Sequence, residues 1–254
     1  MTMRIFGFLF LSLCSFFSYA SDSALSITLV KNSVILSFPQ ATRLDSALLE
    51  SLNYSNIYAY PLGLILSDDE KKNTVIQQQE KLSQQLSKLG EYSPFLSWTE
   101  STYQLNSSLL INQLAQLSFV SRLFIPLDID EIRIKKENNP LLSGQFSLFV
   151  PERPTTITVL GLTLSPKPQT LSYIENGSVK DYLHNVDVSS QANTSQVYVI
   201  QPDGVVQIAS NNQWQKNTVS IAPGATIFIG FNELPDSLSS IHQDIIQLLR
   251  NKVN

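Results

Sequence analysis

Apolar residues recur at every second position in several short runs and at every third or fourth position in several longer ones, so the pattern predicts both strands and helices. The clearest two-residue alternation lies between Gln196 and Phe231. Val197 and Val199 alternate with Tyr198 and Ile200, Pro202-Asp203-Gly204 supplies a turn, and Val206 and Ile208 fall on the return strand. In such a turn proline presets φ, aspartate bonds its own backbone and glycine accepts positive φ. Asn211-Asn212 marks the next break and Trp214 is expected as a core anchor. Pro223-Gly224 then feeds a run in which Ile227 and Ile229 alternate with Thr226 and Phe228. This segment predicts a compact antiparallel β unit and argues against an α/β nucleotide fold.

Upstream, Ile27 and Leu29, then Val34, Leu36 and Phe38, flank Lys31-Asn32-Ser33 and predict an opening hairpin. Leu44, Leu48 and Leu52, spaced by four, predict a short helix from Arg43 to Leu52. Tyr54 to Leu66 reads as strand broken by Pro61 and Gly63. Ser67-Asp68-Asp69-Glu70 reads as a capping box, with Ser67 as the cap, opening a helix whose Val75, Leu82, Leu86 and Leu89 share a face and which Gly90 terminates. After Pro94 and Trp98, Leu110, Leu114 and Leu117 predict a second helix, so a helical hairpin of about 67–118 interrupts the strands. Its glutamines, Gln77-Gln78-Gln79 and Gln84-Gln85, read as solvated surface, with sugar contact as the alternative.

Ser121 to Ile134 is expected to return to strand. Phe146, Leu148 and Val150, then Ile157, Val159 and Gly161, predict two strands opening a second β unit that Pro166-x-Pro168 closes. Ser178 to Val186 predicts a short helix, with His184 on it. Leu238 to Val253 predicts a final amphipathic helix with Ile241, Ile245, Leu248 and Leu249 on its apolar face. Arg250 and Lys252 sit near its C-terminal end, where the helix dipole favours cations. About 16 helical residues span roughly 24 Å, short of a hydrocarbon core of about 30 Å, so this helix is expected to pack on its own protein rather than enter a membrane.

Composition changes the picture at the N-terminus. Arg4, an apolar run from Ile5 to Phe17 and the small residues ending at Ala20 predict a secretory signal peptide, residues 1–20, cut after Ala20. The one cysteine, Cys14, lies within it, and Leu13 before it does not fit a lipoprotein cleavage box. The expected mature chain therefore has no disulfide, thiolate metal site or cysteine nucleophile. A net charge of −4 without a basic tract disfavours a nucleic-acid partner. Only His184 and His242 are present, without acidic or cysteine partners at ligand spacing, and His242 is expected to face solvent. With no glycine-rich phosphate loop either, no cofactor, metal or catalytic residue is expected. Asp68-Asp69 and Asp128-Asp130 are carboxylate pairs of the kind a glycosidase uses, although their spacing in sequence sets no distance in space.

Several strings in the second half carry a family likeness: Tyr198-Val199-Ile200-x-Pro202-Asp203-Gly204, Trp214, Pro223-Gly224-x-x-Ile227-Phe228-Ile229 and Leu248-Leu249-Arg250-Asn251. On these the chain resembles the capsule-biosynthesis GfcC family, periplasmic proteins built from β-grasp domains. The Pro-Gly-then-strand element is also similar to soluble-ligand-binding β-grasp repeats of outer-membrane polysaccharide export channels, except that Gly224 is followed by Ala225 where those repeats often have Asp. The resemblance implies an α+β fold of two β-grasp domains, the first at 21–140 and the second at 141–235, with the helical hairpin inserted in the first and the amphipathic helix at 236–254. It also implies that Arg122 and Arg133 are ligand-binding candidates, because the family has arginines at matching positions ahead of strings like Asn139-Pro140 and Leu142-Ser143-Gly144. Arg133 sits among Asp128, Asp130 and Glu131 and is also suited to an ion pair, whereas Arg122 has no acid within five residues and could fork onto the carboxylate of an acidic sugar. The implied function is that of a periplasmic, non-enzymatic accessory protein of capsule or O-antigen capsule assembly, binding the polysaccharide or the outer-membrane export channel between its two β units. The alternative is a periplasmic polysaccharide hydrolase or lyase using the acids from Asp128 to Glu131.

Overall fold

The computed structural model of the protein describes residues 24–55, 58–92, 100–210 and 219–253. The expected signal peptide, Pro94, Trp98, the Asn211-Asn212 break and Trp214 lie outside the described residues.

The chain opens with the expected hairpin. Strands β1 (Leu25–Leu29) and β2 (Val34–Phe38) pair antiparallel, and Ser33 turns the chain at a φ of 53°. A short β3 (Thr42–Arg43) leads into α1 (Leu44–Asn53), which buries Leu44, Ala47 and Leu48, the face predicted by the spacing of four. The stretch expected as strand from Tyr54 is irregular around a turn at Pro61–Gly63, and β4 is confined to Ile65–Asp68. Ser67 is thus a buried strand residue, and the cap it was expected to provide comes from Asp68, whose carboxylate accepts the Glu70 N–H at 3.1 Å.

Helices α2 (Lys72–Gly90) and α3 (Glu100–Ala115) form the expected hairpin, with Val75, Leu82, Leu86, Leu89, Leu110 and Leu114 buried. Gln77 and Gln78 are exposed, while Gln85 reaches Asp244 at 3.0 Å. The expectation of strand from Ser121 to Ile134 is only partly met. Residues 121–123 run beside β4, but Asp128 caps a helix, α4 (Ile129–Ile134), by accepting from the Asp130 and Glu131 N–H groups. A carboxylate that satisfies orphan donors at a helix start outweighs the strand pattern here.

A two-residue β5 (Leu141–Leu142) pairs with β3, and β6 (Gly144–Phe149) follows. Here the sequence reading needs correction. Rather than opening the second unit, β6 completes the first sheet, whose order is β2-β1-β6-β4, with β6 parallel to β1 and antiparallel to β4.

The second sheet begins at β7 (Thr156–Gly161), paired antiparallel with β8 (Gln169–Ser172). Then come α5 (Val179–Leu183), β9 (Gln196–Ile200), β10 (Val206–Ser210) and β11 (Thr226–Ile229), in the sheet order β10-β9-β11-β7-β8. Each sheet therefore starts with a hairpin, crosses a helix and returns a later strand parallel to its own first strand, β6 to β1 and β11 to β7. The whole is an α+β fold with two such sheets.

The sheets differ in how they are covered. In the first, one face carries Leu25, Ile27, Leu29, Phe146 and Leu148 against α1 and α4, while Ile35 points outward at 63% exposure. The second sheet is covered on both faces. Val197, Val199, Ile227 and Ile229 meet the Val179 and Tyr182 of α5, and Leu160, Ile200 and Phe228 meet α2, α3 and the last helix, α6 (Ile241–Arg250). All four residues of β11 are consequently buried, the pattern of a strand sealed on both sides. The helical hairpin, inserted in the chain of the first unit, thus covers the sheet of the second.

Gln113 locks that arrangement. Its side chain accepts the Gly161 N–H at 2.8 Å and donates to the carbonyls of Gly161 and Ser165 and the hydroxyl of Thr163. Gly161 has a φ of 115°, and a Cβ there would lie 2.1 Å from the Ile229 carbonyl oxygen, so only glycine lets β7 approach β11 this closely. Gln113→Leu leaves the Gly161 N–H and Ser165 carbonyl buried without that partner, and urea denaturation should show a loss of about 2 to 3 kcal/mol.

His242, expected at the surface, is half-buried on α6. Its Nε2 accepts the Phe231 N–H at 2.8 Å and its ring stacks on Phe231, with centroids 6.1 Å apart. Burial pushes its pKa below the ordinary 6.5, so the neutral ring is the form that fits. The unfolded chain then takes up a proton at a higher pH than the folded one. The stabilisation is whole above pH 6.5 and declines as pH falls through the lowered value, by at most about 1.4 kcal/mol per pH unit. Melting temperatures measured from pH 7.5 to 5 should fall for the parent chain and fall less steeply for His242→Gln.

Candidate functional site

A cleft of about 680 Å³ lies between the two units. Tyr60, Phe124, Asp128 and Glu131 come from the first unit, Asp203 and Gly204 from the second, and Arg250 from α6. Each wall is placed by a local feature of the sequence. Tyr60 precedes the Pro61–Gly63 turn and is fixed by its N–H, which donates to the Pro151 carbonyl at 2.9 Å. Asp128 and Glu131 are held at the start of α4. Asp203 and Gly204 form the tip of the β9–β10 turn, where Gly204 has a φ of 84° and its N–H donates to the Gln201 carbonyl.

Gly204 is required for space as well as for φ. A Cβ at this position would lie 2.9 Å from the Phe124 ring and 3.6 Å from a guanidinium nitrogen of Arg122. Arg250 closes the same corner. Its Nε donates to the Gly204 carbonyl at 2.9 Å, another nitrogen donates to Gln247 at 3.0 Å, and the guanidinium lies 4.0 Å from the centroid of the Phe124 ring. Phe124 remains 44% exposed, so one part of the ring carries the arginine and the rest is available to the cleft. Arg153 lies over the Tyr60 ring at 5.8 Å.

Each carboxylate of the cleft uses one oxygen locally. Asp128 Oδ1 accepts two backbone N–H groups, Asp203 Oδ1 accepts the Val205 N–H at 2.9 Å, and Glu131 Oε1 accepts from Lys135 and Asn138. The second oxygen of each has no hydrogen bond to the described residues. Three hydrogen-bond acceptors beside two aromatic rings in an open cleft are suited to holding a hydroxyl-bearing ligand.

The two arginines singled out in the sequence are not brought together. Arg122 lies behind the cleft floor, 9% exposed, with its guanidinium donating to the Leu64 carbonyl at 3.2 Å and its N–H to Asn251 Oδ1 at 3.2 Å. Burial pushes its pKa down to about 10, Asp203 pulls it back up, and Arg250 pushes it down, so it stays charged at neutral pH. It borders a second, much smaller pocket with Gln201, Thr226, Arg250 and Lys252. Arg133 is exposed near the end of α4, away from the cleft, and makes no ion pair with Asp128, Asp130 or Glu131. Glu131 pairs instead with Lys135, one helical turn on, at 3.2 Å. Arg133 does help to hold the Asp45 carboxyl below its usual range, after the hydrogen bond from Asn139 that is the main cause.

Phe124, Tyr60, Asp203 and Arg250 were not identified as site residues from sequence. The clue to two of them lay in the strings Pro202-Asp203-Gly204 and Leu248-Leu249-Arg250-Asn251, which turn out to be halves of one contact. Nothing in the local pattern distinguishes Phe124 from a core phenylalanine. No group of three or more histidine, cysteine or acidic side chains among the described residues is placed to hold a metal ion.

Residues 21–153 match the family model described as capsule biosynthesis GfcC, N-terminal, and residues 167–254 match its partner, capsule biosynthesis GfcC C-terminal. The first match ends between β6 and β7, where the sheets divide, and the second begins after β7 and just before β8. The chain is also 30% identical to the uncharacterized protein YjbG of Escherichia coli strain K12 over 196 residues, covering 75% of this chain and 76% of that protein. With both models matched across nearly all of residues 21–254, the chain belongs to the capsule biosynthesis GfcC family.

Proposed function

We propose that this protein is a non-enzymatic accessory factor of capsule or O-antigen capsule assembly, working in the periplasm and holding a stretch of polysaccharide in the cleft between its two units. The observation that carries this reading is the make-up of the cleft, with Tyr60 and Phe124 as ring surfaces beside carboxylates that each keep one oxygen without a partner among the described residues. Sugar rings lay their C–H faces on aromatic rings while their hydroxyls donate to such oxygens. The signal-like first 20 residues support export, and family membership supports the link to capsule biosynthesis. The repeated hairpin–helix–strand order supports two β-grasp units. In this reading the export channel receives the held polymer, Arg122 acts from beneath the floor by fixing the β9–β10 turn, and Arg133 stays outside the cleft. Asp128 favours binding over bond cleavage, since one of its oxygens is committed to capping α4.

Deleting the gene should abolish surface polymer while intracellular precursor continues to be made, and unchanged surface polymer would overturn the proposal. The Tyr60→Ala, Phe124→Ala double variant should bind surface polysaccharide purified from the producing strain at least tenfold more weakly by calorimetry, with its far-ultraviolet dichroism unchanged. Incubation of that polymer with the parent protein should leave its chain length unaltered.

A further inference from the structure

The acidic and basic groups around the cleft are used unequally. This step rests on the polysaccharide-holding reading above and narrows it to a class of sugar. The wall carboxylates, Asp128, Glu131 and Asp203, each keep one oxygen without a partner among the described residues. Among the described residues that line the cleft the cation is Arg250, already occupied by the Gly204 carbonyl, Gln247 and the Phe124 ring. Arg122, the residue best suited by type to fork onto a sugar carboxylate, points its guanidinium to the Leu64 carbonyl behind the floor. An incoming uronate would therefore meet carboxylates and, among the described lining residues, no uncommitted guanidinium, since Arg153 sits over the Tyr60 ring without lining the cleft, whereas a neutral sugar would offer hydroxyl donors to the same oxygens.

We infer that the cleft selects neutral, hydroxyl-rich stretches of glycan and rejects uronate-bearing ones, with Asp128, Glu131 and Asp203 acting both as acceptors for hydroxyls and as the repulsive element against carboxylates. Like charges set against each other at close range discriminate more sharply than added attraction alone, because the wrong ligand must either approach an ionised group or protonate it.

The test uses two matched derivatives of the surface polysaccharide from the producing strain. One is carboxyl-reduced, so that every uronate becomes a hydroxymethyl group, and the other is oxidised at its primary hydroxyls to uronates. Calorimetry with the full mature protein should give at least tenfold tighter binding of the reduced polymer. Raising the salt concentration should strengthen binding of the oxidised polymer, since screening weakens repulsion, where a cationic site would show the opposite slope. Glu131→Gln, which leaves the Asp128 cap and the β9–β10 turn intact, should narrow the preference by improving binding of the oxidised polymer. Equal or tighter binding of the oxidised polymer by the parent protein overturns the charge inference and leaves polysaccharide binding standing. Failure of both polymers to bind overturns the polysaccharide reading and the inference with it.

Discussion

The two units are held in one relative position by the last four residues described, which run out of α6 like a third strand laid between the sheets. Val120 donates to the Asn251 carbonyl and Val253 to the Ser118 carbonyl, each at 2.9 Å, so the tail pairs with residues 118–120. That segment continues directly into residues 121–123, which pair with β4 of the first sheet. On the other side, Lys252 Nζ donates to the Thr158 and Thr226 hydroxyls of β7 and β11, and Arg250 donates to the β9–β10 turn. Backbone ladder bonds tie the tail to one unit and side-chain bonds tie it to the other. The tail thus spans the two units whose residues wall the cleft.

The helical hairpin makes the same connection on a larger scale. Its α2 and α3 leave the first unit after β4 and cover the face of the second sheet that α5 does not reach, alongside α6. The second unit could not bury Leu160, Ile200 and Phe228 without that contribution, so the units share a core although each has its own sheet. Burial of this extent dominates the stabilisation, at about 25 cal/mol per Å² of apolar surface, and the Gln113 amide decides which register the hairpin adopts on it. The polar contact is specific because a shifted hairpin would leave both the amide and the Gly161 N–H buried without partners.

Much of this was legible in the sequence because it followed from period and turn chemistry. The opening hairpin, α1, both long helices, β7, β9, β11 and α6 were all expected from apolar spacing. The failures have identifiable causes. The polar edge strand β8, Gln-Thr-Leu-Ser, has no apolar alternation to detect, since it is only half covered. Leu127 to Asp130 alternates apolar and charged residues as a strand would, but Asp128 offers its carboxylate to two backbone donors and the helix wins. The place of β6 in the first sheet was hidden because a parallel partner lies far away in sequence, with β1 and β6 separated by more than a hundred residues. His242 looked like a surface residue because α6 was read as having one apolar face, whereas a ring stacked on Phe231 extends that face. The cleft was least legible of all, since Tyr60, Phe124, Asp203 and Arg250 come from four separate segments and only the tertiary fold sets them side by side.

The basic residues around the cleft are used within the protein itself. Arg122 and Lys252 are withdrawn from solvent without a carboxylate within ion-pairing distance, and each is satisfied by neutral acceptors, the Leu64 carbonyl for one and two threonine hydroxyls for the other. Burial pushes Lys252 down to about 8 and Arg122 to about 10, so neutral pH leaves both charged beneath the floor. Positive charge under the floor and negative charge at the wall attract through the β9–β10 turn, as the pull of Asp203 on Arg122 indicates. Arg122, whose type suggested a ligand contact, is thus held by neutral acceptors with Asp203 as a nearby opposite charge, and the cleft itself is lined by acids, aromatic rings and Arg250.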